Sequence, residues 1–416
     1  MIKTGIYGLL RVLTFLDIPP VWWGWMLIVI GAISGILGVL FALAQHDIKR
    51  LLAYHSVENI GIITLGMGIG LLGVSAHNPL MAMLGFSGAV FHVLNHTLFK
   101  GLLFLSAGSV VHACHVRDME ELGGLQKRMP ITGTTFLVGS AAISGLPPFN
   151  GFVSEFFIFM GALTGIIHAS TTFTMAGSVV TIAALALIGG LALACFTKAF
   201  GIMFLGEPRS THATHAHEVS AVMWMPMIIL ATLCLLLGIG GPFLLPLLAT
   251  VIAPSTGLNS SMAVTVVQQT PALHVIWKLT AATGGFMVLV LVLSFLRKRL
   301  LSGRKIHHCV TWDCGYIAPT ARMQYTASSF AAPIIRMFGA FLGTRSHLAL
   351  PEGLFPKGGH FASDTPDVSS ERLYAPLFAR LEALMARVRL LQHGLLHLYI
   401  LMIVLSLLGL LFWKLG

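Results

Sequence analysis

The chain has 416 residues, of which 56% are hydrophobic and only 10% are charged, whereas about a quarter of the residues in a soluble domain are charged. Several apolar runs exceed 18 residues, so the composition excludes a soluble globular protein and predicts an all-α fold, a polytopic transmembrane helical bundle in a lipid bilayer. The net charge of +10 does not indicate nucleic-acid binding, because the basic residues lie between the apolar runs.

The apolar segments predict eight spans after a short first helix. Residues 1–16 are too few for a span, carry Lys3 and Arg11, and are typical of the end of a helix whose beginning is missing. We therefore expect a module truncated at the N-terminus. The predicted spans follow at 22–44, 51–73, 79–111, 131–165, 172–204, 221–249, 273–296 and 396–413.

The loops differ in charge, and this predicts the orientation. One set holds all the loop lysines and arginines up to Lys305, whereas the alternate loops at 17–20, 74–78, 166–171 and 250–272 hold none. Positive loops stay in the cytoplasm, so the first set is expected on the cytoplasmic side of the cell inner membrane. The C-terminus then lies on the opposite side.

Three ionisable residues follow one another at helical spacing in the middle of the span at 79–111. His92, His96 and Lys100 are each four residues apart, so they share one stripe of the helix. A single histidine would be explained by hydrogen bonding between helices. A lysine at membrane depth is costly and usually functional, and imidazoles exchange protons near neutral pH, so the whole stripe favours a proton relay.

The span at 131–165 contains a run that should break a helix. Gly145, Pro147, Pro148 and Gly151 lie close together, and two prolines remove two backbone donors. The pattern predicts either two half-helices at an ion path or a simple proline kink. Glu155 follows in an apolar stretch, where a buried carboxyl group is suited to carrying protons.

Two further charged residues lie within the spans. Glu58 is two turns into its span and is expected to pair with a lysine of a neighbouring helix. Lys198 lies near the end of its span, where it either snorkels to the interface or joins the relay.

The remaining segments divide the chain into four parts. Residues 1–250 form the predicted translocation module, 251–296 add a span, 297–395 form a cytoplasmic segment with an amphipathic helix at 371–395, and 396–416 hold the last span. His212, His215 and His217 have no ligand spacing that fixes a metal geometry, so a solvated linker is the better interpretation. No cysteine cluster or haem motif predicts a redox cofactor in this chain.

Four motifs in order resemble the antiporter-like membrane subunits of respiratory complex I. They are AQHDIKRLLAYHSVENIGI, FHVLNHTLFKGLLFLSAGSV, MEELGGLQKRMP and SGLPPFNGFVSEF, and they lie within residues 1–250. The family also includes multisubunit cation/proton antiporters and membrane-bound nickel–iron hydrogenases. AHEVS and TWDCGYIAPTARMQYTASSF resemble the hydrogenase branch.

The resemblance implies two inverted five-helix repeats, each forming a half-channel for protons. The spans from 22 to 204 are similar to the second repeat, and the first is largely absent. Lys3 is similar to the bridging lysine between half-channels, His92, His96 and Lys100 to the central relay, and Glu155 to the terminal ionisable residue of the broken helix.

The resemblance also implies partners and a function. We expect other membrane subunits and peripheral hydrogenase and iron–sulfur subunits, with this chain carrying protons in a redox-driven pump. A sodium/proton antiporter subunit and a non-pumping membrane anchor for a hydrogenase are the alternatives.

Overall fold

Helices form nearly all of the regular structure in the part of the chain that the computed structural model describes, which is residues 2–15, 20–305, 320–349, 358–367, 369–388 and 394–415. The first group of helices comprises α1 (Ile2–Leu13), α2 (Val21–Leu43), α3 (Ile48–Ser75), α4 (Pro79–Cys114), α5 (Leu125–Arg128), α6 (Pro130–Ile143), α7 (Asn150–Ile167) and α8 (Thr172–Phe204). The second comprises α9 (Thr211–Thr214), α10 (Ala221–Ile239), α11 (Gly241–Thr256), α12 (Ser260–Gln268) and α13 (Pro271–Leu301). The remainder comprises α14 (Ala327–Met337), α15 (Gly339–Leu342), β1 (Arg345–Ala349), β2 (His360–Asp364), α16 (Ala375–Val388) and α17 (Leu396–Leu415).

Eight of these helices are long and apolar enough to cross a membrane. They are α2, α3, α4, α7, α8, α10, α13 and α17. The chain is therefore a multi-pass membrane protein, and the predicted helical bundle is confirmed.

Helix α3 lies at the centre of the bundle, packed against α2, α4, α7 and α8. Asp47 begins it, because its carboxylate accepts hydrogen bonds from the backbone amides of Lys49 (2.7 Å) and Arg50 (3.0 Å). Asn78 begins α4 in the same way, through the amide of Met81 at 3.1 Å. These caps satisfy backbone donors at the helix ends and so fix where each helix starts.

Close backbone contact between α2 and α3 depends on glycine. A Cβ atom at Gly61 would lie 2.5 Å from the backbone nitrogen of Gly35, and one at Gly31 would lie 2.8 Å from the carbonyl oxygen of Gly61. Small residues let membrane helices pack at this distance. The glycine contact holds α2 firmly against the central helix.

The predicted interruption of the span at 131–165 is present. α6 ends at Ile143 and α7 begins at Asn150, and the chain between them leaves helical geometry. Gly145 has a positive φ of 62°, which residues with a side chain rarely adopt. Gly151, which the sequence groups with the break, is already helical and packs its Cα against the carbonyl group of Ala142.

The span predicted at 221–249 is wrong in its bounds. It is divided at Gly240 into α10 and α11, and the predicted loop at 250–272 contains the end of α11 and the whole of α12. Gly238 explains the position of α10, because its Cα packs against the carbonyl group of Pro148 within the break. The sequence did not predict this division between α10 and α11, because the run is apolar throughout and a glycine alone is a weak signal of a helix end.

The loops predicted to share one side of the membrane meet on one face. Residues Asp47 and Asp118 form an antiparallel bridge, and the backbone amide of Gly124 donates to the carbonyl oxygen of Leu205 at 2.9 Å. We call this surface, formed by residues 44–50, 115–128 and 205–220, the basic face, because it carries the loop lysines and arginines that the alternate loops lack, although acidic residues accompany them. The orientation of that face relative to the cytoplasm remains a prediction.

The chain after α13 returns to the basic face. The side chains of Gln324 and Ser328 hydrogen-bond to residues Glu207 and Glu120 of its loops, at 2.8 to 3.0 Å. Strands β1 and β2 pair antiparallel, with Arg345 opposite Asp364. Short strands were not predicted in this segment, and here they place residues 363–365 beside the loop at 44–47.

The outer elements are exposed within the described part of the chain. Helices α13 and α17 present apolar side chains along most of their length. Helix α16 covers most of the predicted amphipathic segment, while residues 389–393 lie outside the described residues. His212, His215 and His217 are exposed, as a solvated linker requires.

The glycine contact predicts a matched pair of stability effects. Gly61→Ala should lower the free energy of unfolding by about 1–3 kcal/mol, because the added methyl group separates α2 from α3. Gly190→Ala on α8 is the control, since no atom lies within 4 Å of its added Cβ. Thermal unfolding in detergent measures both, and an equal midpoint for Gly61→Ala and wild type would contradict the packing described.

Candidate functional site

A line of hydrogen-bonded polar side chains joins α3, α4 and α7 in the centre of the bundle. On α3, a ring nitrogen of His55 contacts a carboxylate oxygen of Glu58, and the amide nitrogen of Asn59 donates to the same oxygen at 3.4 Å. The Asn59 amide oxygen lies 3.0 Å from His92 Nε2, and His92 Nδ1 lies 2.9 Å from Ser154 Oγ. All five residues are fully buried.

Two asparagines extend this line to the first turn of α7. The Asn95 side-chain amide donates to Ser154 Oγ (2.9 Å) and to the Asn150 carbonyl oxygen (2.8 Å). The Asn150 amide donates back to Asn95 Oδ1 at 3.1 Å. Since Asn150 is the first residue after the break, this exchange fixes the start of α7 against the histidine stripe.

Lys100 lies beside this line without joining it directly. Its ammonium group donates to the carbonyl oxygen of Leu52 on α3, and it lies 5.4 Å from the centre of the Phe104 ring. The expected pairing of Glu58 with a lysine is wrong as a direct contact, because Glu58 binds His55. Lys100 is nevertheless within electrostatic range of Glu58.

His96 and Lys3 are two further ionisable residues at the same part of α4. His96 is 2% exposed, and neither of its ring nitrogens has a hydrogen-bond partner among the described residues. Lys3 on α1 lines a groove with Val90 and Val93 of α4 and Ile252 of α11. It lies within electrostatic range of His92, His96 and Lys100, so α1 contributes a cation to the same site.

Glu155 lies against the break in the helix. A Cβ atom at Gly145 would lie 2.8 Å from Glu155 Oε2, so the carboxylate occupies the space that this glycine leaves. Glu155 is buried, lies within electrostatic range of Glu58, and no described residue hydrogen-bonds to its carboxylate. Gly145 of the break therefore lies directly against a buried acid, whereas Pro147 and Pro148 line a cavity with Gly238 and Thr283.

Lys198 does not snorkel to the interface. It is 1% exposed, and its ammonium group donates to the carbonyl oxygens of Leu43 (2.5 Å) and Gln45 (2.9 Å), where α2 ends. The charge of Lys198 also acts on His55. The ionisable side chains of this region form what we call the buried series: Lys198, His55, Glu58, Lys100, His96, His92, Lys3 and Glu155. Lys198 lies at its basic-face end.

Most of these groups are of types that can exchange protons. Histidine, glutamate and lysine side chains accept and release protons, whereas the amides of Asn59, Asn95 and Asn150 orient their neighbours. A charge in this low-dielectric interior is costly unless another group or a donor stabilises it. A change of charge on one member therefore alters the proton affinity of the next.

The comparison with known families decides the class of the module. Residues 1–184 match the model of the transmembrane family of NADH:quinone oxidoreductase and Mrp antiporter subunits. Residues 1–184 belong to this family. The resemblance read from the motifs is confirmed, and the stripe, the break and Glu155 all lie inside this antiporter-type module.

Two relatives from Escherichia coli match most of the chain. Hydrogenase-4 component B is 38% identical, over 99% of this chain and 62% of that protein. Formate hydrogenlyase subunit 3 is 35% identical, over 86% of this chain and 56% of that protein. The chain thus spans about three fifths of the length of these relatives.

A solved structure shares the fold. The chain resembles a subunit of the membrane-bound sulfane sulfur reductase, an archaeal respiratory membrane complex, with a TM-score of 0.62 and 21% identity. The similarity covers 93% of this chain and 56% of that chain. The shared helical fold therefore extends over nearly the whole chain.

Sequence reasoning missed five polar members of the module's buried line, which are His55, Asn59, Asn95, Asn150 and Ser154. A signal was present, because His55 and Asn59 flank Glu58 on one face of α3, and Asn150 and Ser154 are four residues apart at the start of α7. Uncharged residues in an apolar run contrast less with their neighbours than lysines do. Their partners come from other helices, which spacing along one helix cannot reveal.

Ser154 gives a test of this network in the antiporter-type module. Ser154→Ala should lower the free energy of unfolding by about 1–2 kcal/mol, because His92 and Asn95 each lose a partner on another helix. Ser140→Ala is the matched control, since its buried hydroxyl bonds only the Phe136 carbonyl oxygen of its own helix. Thermal unfolding in detergent should separate the two variants, and equal midpoints would contradict the network.

Proposed function

We propose that the chain is a proton-carrying membrane subunit of a redox-driven complex of the membrane-bound nickel–iron hydrogenase type. The observation that carries the proposal is the buried series from Lys198 through His55 and Glu58 to His92. An intramembrane ionisable group is costly to maintain, and a series of them marks an ion path. The two Escherichia coli relatives, a hydrogenase component and a formate hydrogenlyase subunit by name, support the hydrogenase type.

The proposed mechanism is electrostatic. Redox turnover in partner subunits would change the charge near one end of the series. Like charges at this depth repel strongly, so when one group becomes protonated its neighbour binds a proton less tightly. The neighbour then releases its proton to the next group of the series. In this proposal Lys100 acts on Glu58 and His55 from α4, and Glu155 acts from the broken helix.

The proposal includes a position in a complex and in a membrane. Other membrane subunits would cover the exposed apolar helices α13 and α17, and peripheral hydrogenase and iron–sulfur subunits would carry the redox cofactors. In this proposal the basic face and residues 297–395 lie in the cytoplasm, as the loop charges predict, and the bundle lies in the inner membrane.

A sodium/proton exchanger is the second candidate, and the family description favours it because it names the Mrp antiporter. The two functions differ in what drives transport. An exchanger moves protons when a sodium gradient is applied without electron donors, whereas a redox-driven pump does so only during turnover.

Replacement of Lys100 and Glu155 tests the proposed function. Lys100→Met and Glu155→Gln, in the assembled complex in proteoliposomes, should each lower proton translocation by about tenfold or more, because a step of the series loses its titratable group. A pH-sensitive dye records translocation, and hydrogen evolution records the redox reaction. Native gel electrophoresis confirms assembly.

Exposed residues of the same types provide the controls. Lys278→Met on α13 and Glu382→Gln on α16 alter charges outside the buried series and should translocate like wild type. Wild-type translocation by both Lys100→Met and Glu155→Gln would refute the relay. Proton movement driven by a sodium gradient alone would support the exchanger. If the wild-type complex evolves hydrogen but translocates no protons, the chain is a non-pumping membrane anchor.

A further inference from the structure

A polar cavity of about 620 Å³ opens on the basic face beside the end of α2. Three separate parts of the chain line it, and we call it the vestibule. Its acidic side chains are Asp47, Asp118, Glu121 and Asp364, and its basic and imidazole side chains are Arg50, Arg117, His46 and His115. The vestibule is therefore a concave site of mixed charge, with four carboxylates among its lining groups.

His46 occupies the wall of the vestibule nearest to the bundle. Its Nε2 lies 3.0 Å from Ser363 Oγ, and its Nδ1 lies 3.7 Å from Glu120 Oε1. The Nδ1 atom is buried and has no hydrogen-bond partner among the described residues. One ring nitrogen is therefore held by the hairpin, while the other faces a carboxylate and remains able to accept a proton.

Lys198 lies directly behind this wall. It donates to the carbonyl oxygen of Gln45, the residue before His46, and its charge acts on both His46 and Glu120. Lys198 is the first group of the buried series at this end of the bundle, since its charge also reaches His55. His46 therefore stands between the solvent-facing carboxylates and the buried relay.

The electrostatic setting of His46 suits transient protonation. Burial and then the charge of Lys198 lower the pKa of His46, whereas Glu120, Asp118 and Asp364 raise it. The net shift is downward, so His46 is mostly neutral at neutral pH and releases a proton readily once it has accepted one. Each of these groups comes from an element that packs around the ring.

We propose that the vestibule is the proton-uptake site of the module and that His46 passes protons from solvent towards Lys198. This inference rests on the proposed function. Nδ1 of neutral His46 accepts a proton that solvent delivers through the adjacent Glu120 carboxylate. The imidazolium then passes a proton, directly or through water, to Lys198 once the Lys198 ammonium group has released its own proton to the next group of the buried series. Glu120, Asp118 and Asp364 attract the incoming positive charge.

His46→Asn tests the proposal in the assembled complex in proteoliposomes. The electron donor is kept at a saturating concentration, so that hydrogen evolution does not limit translocation. An asparagine amide keeps a polar group but carries no proton, so translocation at neutral pH should fall by about tenfold. Lowering the pH on the basic face, or adding imidazole there, should restore it in part. His77→Asn is the matched control, because His77 is an exposed turn residue with positive φ in an alternate loop.

Asp364→Asn supplies a second readout that a structural role would not produce. Loss of this carboxylate lowers the pKa of His46 further, so the pH profile of translocation should move towards acid. His46→Asn should be insensitive to the same change. A profile that does not move in Asp364→Asn would overturn the role of the vestibule carboxylates.

Lys100→Met, assayed in parallel, separates the two proposals. If Lys100→Met stops translocation while His46→Asn pumps like wild type, the vestibule is refuted and the relay stands. If His46→Asn is slow but responds to neither pH nor imidazole, His46 has a structural role and the proposal is overturned. If Lys100→Met and Glu155→Gln both pump like wild type, the proposed function itself fails.

Discussion

The hydrogen bond between Asn59 and His92 is the contact on which the candidate site depends. It joins α3 to α4, and through the other ring nitrogen of His92 it reaches Ser154 on α7. In a bilayer interior an unsatisfied polar group is expensive, so each of these side chains constrains the orientation of the next. The titratable groups Glu58 and His92 are held in place by uncharged neighbours.

The broken helix completes this arrangement because it brings the first turn of α7 to the histidine stripe. Gly145 permits both the turn of the backbone and the approach of the Glu155 carboxylate. The Glu218 carboxylate accepts hydrogen bonds from the amides and hydroxyl group at the start of α6, through Ile131 and Thr132 at 2.6 to 3.2 Å. A loop of the basic face thus anchors one half-helix, and the asparagine exchange anchors the other.

Sequence reasoning found the parts of the site that contrast with an apolar background. The stripe at His92 and Lys100 and the prolines of the break stand out for this reason, and the helices were recognised from long apolar runs. The expected direct partner of Glu58 was wrong, because His55 on the same helix contacts its carboxylate instead. Of the two alternatives for Lys198, its burial excludes snorkelling to the interface. Both outcomes depend on side-chain positions in three dimensions, which hydropathy along the chain does not encode.

Proton translocation by an Asn59→Leu variant of the assembled complex is the most direct measurement of the central claim. This change leaves every titratable residue in place but removes the group that orients Glu58 and His92, and it makes the space between them apolar. We expect hydrogen evolution to continue in this variant while the number of protons translocated per hydrogen molecule evolved falls close to zero. A wild-type ratio of protons to turnovers in this variant would contradict the claim that protons pass along the buried line.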